Sequence, residues 1–223
     1  MRKFCLTIIV LAGFSKALFA QFGNCTASEM QTYTDRETGN TITILTDTLK
    51  NDRFLYQTDP MWTHDGKYLL FRSSSRANDK KIERTLPNGE KRSWTPTQMY
   101  FIEMATGQII QATEGPDLGS AFLANKSNRM FISRKEKEDW NMYVMDLDKF
   151  FADVKKGKVG KPTAYETLLG TFPTSMGRPG GYAIDCNDDY AYITVEREGT
   201  EEEKERMAKN AFLPESNQPV KIK

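Results

Sequence analysis

The side chains best equipped for chemistry stand in segments that read as loops: Gln57 and Asp59, Arg72, Arg134 and Lys135, and Arg178, with Trp94 and Trp140 in segments of the same kind. A guanidinium takes a carboxylate through two parallel hydrogen bonds, and aromatic rings stack on the flat apolar face of a sugar ring. Bases and aromatics gathered at one end of a fold therefore suit an anionic sugar. The competing reading is that Arg and Lys simply populate solvated loops. These are binding assignments: the sequence offers no catalytic residue and no set of metal ligands.

Other chemistries find less support. His64 is the only histidine, and a metal site needs several convergent ligands, so it reads as a solvated turn residue. Asp65, Asn128 and Asp188 resemble scattered acid–amide sites, yet tight turns demand these residue types for local hydrogen bonding and left-handed backbone. No G-x-S-x-G elbow, phosphate-binding loop or H-E-x-x-H motif occurs, which removes the motif basis for nucleophilic hydrolysis, nucleotide binding and zinc proteolysis. With 31 basic and 30 acidic residues there is no cationic footprint, so a nucleic-acid partner is not expected.

The elements that must position the loop residues emerge from self-comparison. Gln98-Met99-Tyr100-Phe101-Ile102-Glu103-Met104 aligns without gaps on Asn141-Met142-Tyr143-Val144-Met145-Asp146-Leu147. Each reads as a strand running into a turn; after the first, Ala105-Thr106-Gly107 leads to a second strand. Upstream of each copy lies a hairpin. Asp59-Pro60-Met61-Trp62-Thr63 passes through His64-Asp65-Gly66-Lys67 into Tyr68-Leu69-Leu70-Phe71, and the design recurs around residues 121–132 and 182–195. Trp62, Phe122 and Ile184 are expected at equivalent positions.

Strand a, polar turn, strand b, variable loop, strand c, tight turn, strand d is the four-stranded blade of a β-propeller. The fold class expected is all-β, a β-propeller fragment of about three antiparallel blades, the last incomplete: a closing strand at 38–47, blade one at 59–115, blade two at 119–170 and blade three at 181–223. Insertions at 72–97, 148–162 and 196–218 lengthen the repeat. The charged run 196–209 reads as an exposed helix. The closing strand and the last blade then lack partners, which predicts further C-terminal blades of the same chain.

Arg2 and Lys3, an apolar run over 4–14 and small residues up to Ala20 read as a cleavable signal peptide over residues 1–20, hence a secreted or periplasmic protein. No later stretch reaches the roughly 20 apolar residues of a membrane span. Cys25 and Cys186 are too few and too far apart for a disulfide framework or a zinc site. A lipid anchor on Cys25 is disfavoured by Asn24, which is not the small residue that such processing prefers.

The hairpin Pro60-Met61-Trp62-Thr63-His64-Asp65-Gly66-Lys67-Tyr68 resembles the Ser-Pro-Asp-Gly-Lys signature of TolB-type, WD-like propellers. Asp35-Arg36-Glu37-Thr38-Gly39, the strand after it and Phe54-Leu55-Tyr56-Gln57-Thr58-Asp59-Pro60 resemble the opening of oligogalacturonate lyases, from Asp35 to about Gly115. That resemblance implies β-elimination across a uronate C4–C5 bond with a histidine base and a divalent metal, manganese, held mainly by histidines of later blades. It implies acidic pectic oligosaccharides as partners. Gln57 stands where that loop would carry a histidine, so none of the family's catalytic or metal residues is carried over. The alternative is a non-catalytic TolB-like module that binds a periplasmic protein or a glycan.

Overall fold

The structure, a computed structural model, describes residues 22–77, 81–85, 89–115, 118–137, 139–172, 178–196 and 217–222. The expected signal peptide and residues 197–209 of the charged run lie outside the described residues.

The chain opens with β1 (Cys25–Thr26), then a hairpin of β2 (Gln31–Thr34) and β3 (Thr41–Ile44), with Gln31 opposite Ile44. The Asp35 carboxylate accepts from Glu37 N and Thr38 Oγ1, both at 2.9 Å, and Gly39 supplies φ +72°. The closing strand expected at 38–47 is thus shorter and has a local partner. Asx-turn chemistry closes a short loop, which costs less chain entropy than recruiting a distant strand.

Blade one is built on β5 (Tyr68–Ser73), β8 (Gln98–Glu103) and β9 (Ile109–Gln111), strands b, c and d of one antiparallel sheet. Gly107 turns the β8–β9 hairpin at φ +73°. The outer edge of β9 is covered by β1, Cys25 opposite Ile110. Strand a is broken: Trp62 makes a single bridge to Leu69, and β4 (Asp52–Arg53) pairs with the far end of β5. Pro60 lies between these two pieces and has no N–H to give a ladder. The b–c insertion forms its own hairpin, β6 (Ile82–Thr85) with β7 (Lys91–Trp94).

Blade two is complete, with β10 (Leu118–Leu123), β11 (Arg129–Glu136), β12 (Asp139–Asp146) and β13 (Glu166–Phe172) in that order across the sheet. Its c–d insertion holds the helix α1 (Leu147–Lys155). The Asp146 side chain caps this helix by accepting from Lys149 N at 3.0 Å, and Leu147, Phe150 and Phe151 form its buried stripe. Blade three contributes β14 (Arg178–Ile184), β15 (Ala191–Glu196) and β16 (Asn217–Ile222), again antiparallel. The fold class is all-β: three successive propeller blades.

The sheets pack face to face. Leu70 and Phe101 of blade one meet Leu123, Met130 and Ile132 of blade two, and α1 wedges Phe150 and Phe151 into the same core beside Phe22. Tyr68 stacks on Phe151 with ring centroids 3.6 Å apart. A second core joins Phe122, Phe131 and Phe172 of blade two to Ala191 and Ile193 of blade three. The hairpin register makes Trp62, Leu123 and Ile184 equivalent, because each precedes the residue whose N–H closes the a–b turn (Thr63, Ala124 and Asp185). Phe122 is one residue off that series and faces blade three. Trp62 is 47% exposed, on the face of blade one turned away from blade two.

Strand alternation sends the d–a and b–c connections to one end of the blades and the a–b turns to the other. No helix among the described residues is long and apolar enough to cross a membrane.

Candidate functional site

At the d–a and b–c end, a cavity of about 650 Å³ runs along the inner strands. Its rim is the segment 55–59, which must loop because the broken strand a cannot bind it into the sheet. Here Tyr56 O accepts from Asp59 N at 2.8 Å, a turn that leaves Tyr56 exposed and presents Gln57 and Asp59 to the cavity. Arg72 enters from the end of β5. Among the described residues its guanidinium has no ion pair.

The floor comes from blades two and three. Gly119 and Ser120 lie in a bulge of β10, where the register shifts between Leu118 and Ala121. Ser133 Oγ accepts from Ser120 N at 2.9 Å and from Tyr182 Oη at 2.7 Å, so one hydroxyl fixes the bulge and the Tyr182 ring together. Phe122 and Tyr182 lie 5.3 Å apart and give the cavity an aromatic wall. A cation, an amide and a carboxylate thus face a wall of rings, which serves a ligand with a negative group, hydroxyls and a flat apolar face.

Three of the six residues expected from sequence share this cavity: Gln57, Asp59 and Arg72. Arg134 does not line it. Its Nη1 and Nη2 donate to Glu166 at 3.2 and 2.8 Å, it lies over the Tyr143 ring at 5.2 Å, and the Glu166 side chain is only 2% exposed. Burial opposes the Arg134 charge, but the Glu166 carboxylate outweighs it and holds its pKa above the ordinary arginine value. Lys135 sits opposite Trp140 near the tip of the β11–β12 hairpin, and Arg178 opens β14 opposite Glu196. Trp94 ends β7, away from the cavity lining. The sequence reading missed Ser120 and Tyr182 as lining residues; the start of each strand a was the available signal.

The opposite end is structural. His64 Nδ1 is 2.9 Å from the Asn125 carbonyl oxygen, and Asn128 Oδ1 accepts from Asp65 N at 3.2 Å, joining the turns of blades one and two. Among the described residues no three His, Cys, Asp or Glu side chains converge on one point.

Two solved structures share this arrangement of blades. One is an oligogalacturonate lyase in complex with manganese, 18% identical with a TM-score of 0.54 over 79% of this chain and 39% of that one. The other is an oligogalacturonate lyase from Vibrio parahaemolyticus, 18% identical with a TM-score of 0.55 over 80% and 39%. The fold is that of oligogalacturonate lyase blades. The resemblance read between Asp35 and Gly115 thus extends to the architecture. The chain spans about two fifths of the length of these solved relatives. No family model and no curated protein matches the chain.

Proposed function

We propose that this chain is the substrate-binding part of an exported propeller that takes acidic pectic oligosaccharides, as an oligogalacturonate lyase does. The observation that carries the reading is the Arg72 guanidinium, exposed and without a carboxylate partner among the described residues, in a cavity that also presents Asp59, Gln57 and the Tyr182 ring. Arg72 would hold the uronate carboxylate bidentately, Asp59 and Gln57 would take ring hydroxyls, and Tyr182 would lie against the apolar ring face. β-Elimination is what the likeness implies for the whole protein: proton abstraction beside the carboxylate needs a base, and an electrophile to hold the developing enolate.

Manganese, present in one solved relative, does not fit the described residues. The sole histidine lies at the far end against Asn125, and among the described residues no cluster of ligating side chains faces the cavity. In this reading the metal and the catalytic base belong to residues outside those described, while Arg72 orients the carboxylate.

Calorimetric titration of the chain with galacturonate oligomers tests this. Binding should weaken at least about tenfold for Arg72→Gln, the size of a lost charge-assisted pair. It should fall with rising salt and be absent for neutral galacturonate methyl ester oligomers. Equal binding by wild type and Arg72→Gln, or equal binding of the esters, overturns the reading.

A further inference from the structure

We infer that Arg53 and Arg72 form a second oxyanion subsite next to the cavity described above, so that two successive acidic units of one ligand are held at once. This extends the acidic-oligosaccharide reading and rests on it only for the identity of the ligand.

Asp52 and Arg53 make up β4, the short piece that replaces the upper part of strand a. Its register sets Arg53 directly opposite Arg72. Opposed residues of an antiparallel pair project from the same face, with Cβ atoms about 5 Å apart, and like charges so placed repel. Between them lies a cavity of about 300 Å³ lined by Asn51, Arg53, Arg72, Ser73, Ser74 and Thr97. No carboxylate is among these described lining residues. The nearest along the chain, Asp52, is taken up by Arg76, whose Nε donates to it at 2.9 Å.

The remaining groups are set to donate. Asn51 Oδ1 accepts from Arg53 Nε at 3.3 Å, which orients the guanidinium, and Asn51 Nδ2 donates to Ser74 Oγ at 2.6 Å. Among the described residues Ser74 Oγ accepts this bond and donates none, which leaves its proton for a ligand. Two guanidinium groups and a hydroxyl donor around a solvent-open cavity, with no carboxylate among its described lining residues, describe a receptor for a carboxylate, sulfate or phosphate group. Arg72 lines both cavities. The two subsites are consequently contiguous, and a chain of uronates would lay adjacent carboxylates on either side of one shared arginine.

The test follows arginine Nε–Hε signals by nuclear magnetic resonance in the full chain while inorganic sulfate is added, for wild type, Arg53→Gln and the charge-conserving Arg53→Lys. Sulfate should shift the Arg53 and Arg72 signals together, and Arg53→Gln should weaken sulfate binding about tenfold, with Arg53→Lys in between. An Arg53 signal that does not move, or unchanged sulfate binding by Arg53→Gln, overturns the subsite. The second arm compares galacturonic acid with its dimer. A tighter dimer in wild type, with that gain lost in Arg53→Gln, identifies the ligand as the uronate chain. Sulfate binding at Arg53 without a dimer gain keeps the oxyanion subsite and overturns the claim that one ligand spans both cavities, whereas the acidic-sugar reading of the neighbouring cavity stands or falls on the Arg72→Gln titration.

Discussion

The Asp188 carboxylate closes on the backbone of Asn125, 63 residues earlier in the chain: Oδ1 accepts from Asn125 N at 2.7 Å, while Oδ2 accepts from Lys126 N at 2.8 Å and from Ser127 Oγ at 3.0 Å. The side chain is 2% exposed, and the residue sits at φ +63°, where blade one has Gly66 at φ +69°. One aspartate in a left-handed turn therefore stitches the turn of blade three to that of blade two. Asp188→Ala loses charge-assisted bonds, leaves two amides to find other acceptors and strains the turn, a cost of about 3 kcal/mol. Asp188→Asn keeps the turn preference and one acceptor and should cost less. Urea melts of both variants, with hydrogen exchange at Asn125 and Lys126, check the order.

Acid should loosen the chain through two carboxylates. Burial raises the Asp65 pKa, but hydrogen bonds from Lys67 and Thr63 outweigh it and hold the carboxyl at about 2. The Arg76 hydrogen bond lowers Glu29, which ties the segment before β2 to blade one: Arg76 Nη1 donates to Glu29 Oε1 at 2.9 Å. Both folded values lie below the unfolded ones, so the stability they add is fully present above the ordinary carboxylate range of about 4 and is lost as pH falls through the folded values. Melting temperature should decline from about pH 4 toward pH 2, and Asp65→Asn with Glu29→Gln should flatten that decline. An unchanged slope in the double variant would count against this account.

Arg72 and Arg134 looked interchangeable in the sequence, and the structure separates them. Arg134→Ala strands the buried Glu166 carboxylate and should cost about 3 kcal/mol while leaving galacturonate binding intact. Arg72→Ala should leave melting nearly unchanged and remove binding. Paired thermal melts and calorimetry on the two variants read this directly, and a binding loss in Arg134→Ala at unchanged stability would reverse the assignment.

What was legible follows the range of the interactions. The hairpin around Asp65-Gly66 and the β8–β9 turn are local, set by turn residues and alternating hydrophobes, and both were readable. The pairing of β1 with β9 joins Cys25 to Ile110 through two residues, too few for any pattern. The a–b turns of the three blades close over equal lengths, from Thr63, Ala124 and Asp185, so Leu123 rather than Phe122 matches Trp62, an offset of one that the apolar run Ala121-Phe122-Leu123 does not reveal. The helix α1 carried a signal that insertion-reading overlooked: Asp146 as cap and Leu147, Phe150, Phe151 and Val154 at helical spacing. Arg134 could not be separated from Arg72, because its partner Glu166 lies 32 residues away.

Phe151 tests whether α1 holds blades one and two together. It stacks on Tyr68 and lies edge-on to Phe101 at 5.0 Å, both of blade one, although α1 belongs to blade two. Phe151→Ala should cost about 3–5 kcal/mol and speed hydrogen exchange in β5 and β8 as well as in α1. Exchange confined to α1 would show that the helix is an appendage.

Gly119 links the core of blade two to the cavity that Arg72 enters. A Cβ built on it would come within 2.4 Å of Ser133 Oγ and 2.7 Å of Trp140 Cζ3, closer than real carbon contacts allow. Neither neighbour moves cheaply: Ser133 Oγ already accepts from Ser120 N and Tyr182 Oη, and Trp140 packs on the core between blades two and three. Gly119→Ala must push the bulge toward the cavity or swing Tyr182 off its hydroxyl anchor. The expected outcome is a loss of about 1–3 kcal/mol from overpacking, together with weaker galacturonate binding although Arg72 is intact. Ser133→Ala removes the shorter of the two contacts but leaves Trp140 in place and takes the anchor away, so in the double variant stability should recover only in part while binding stays low. Full binding by Gly119→Ala would mean that the cavity floor takes no part in holding the ligand.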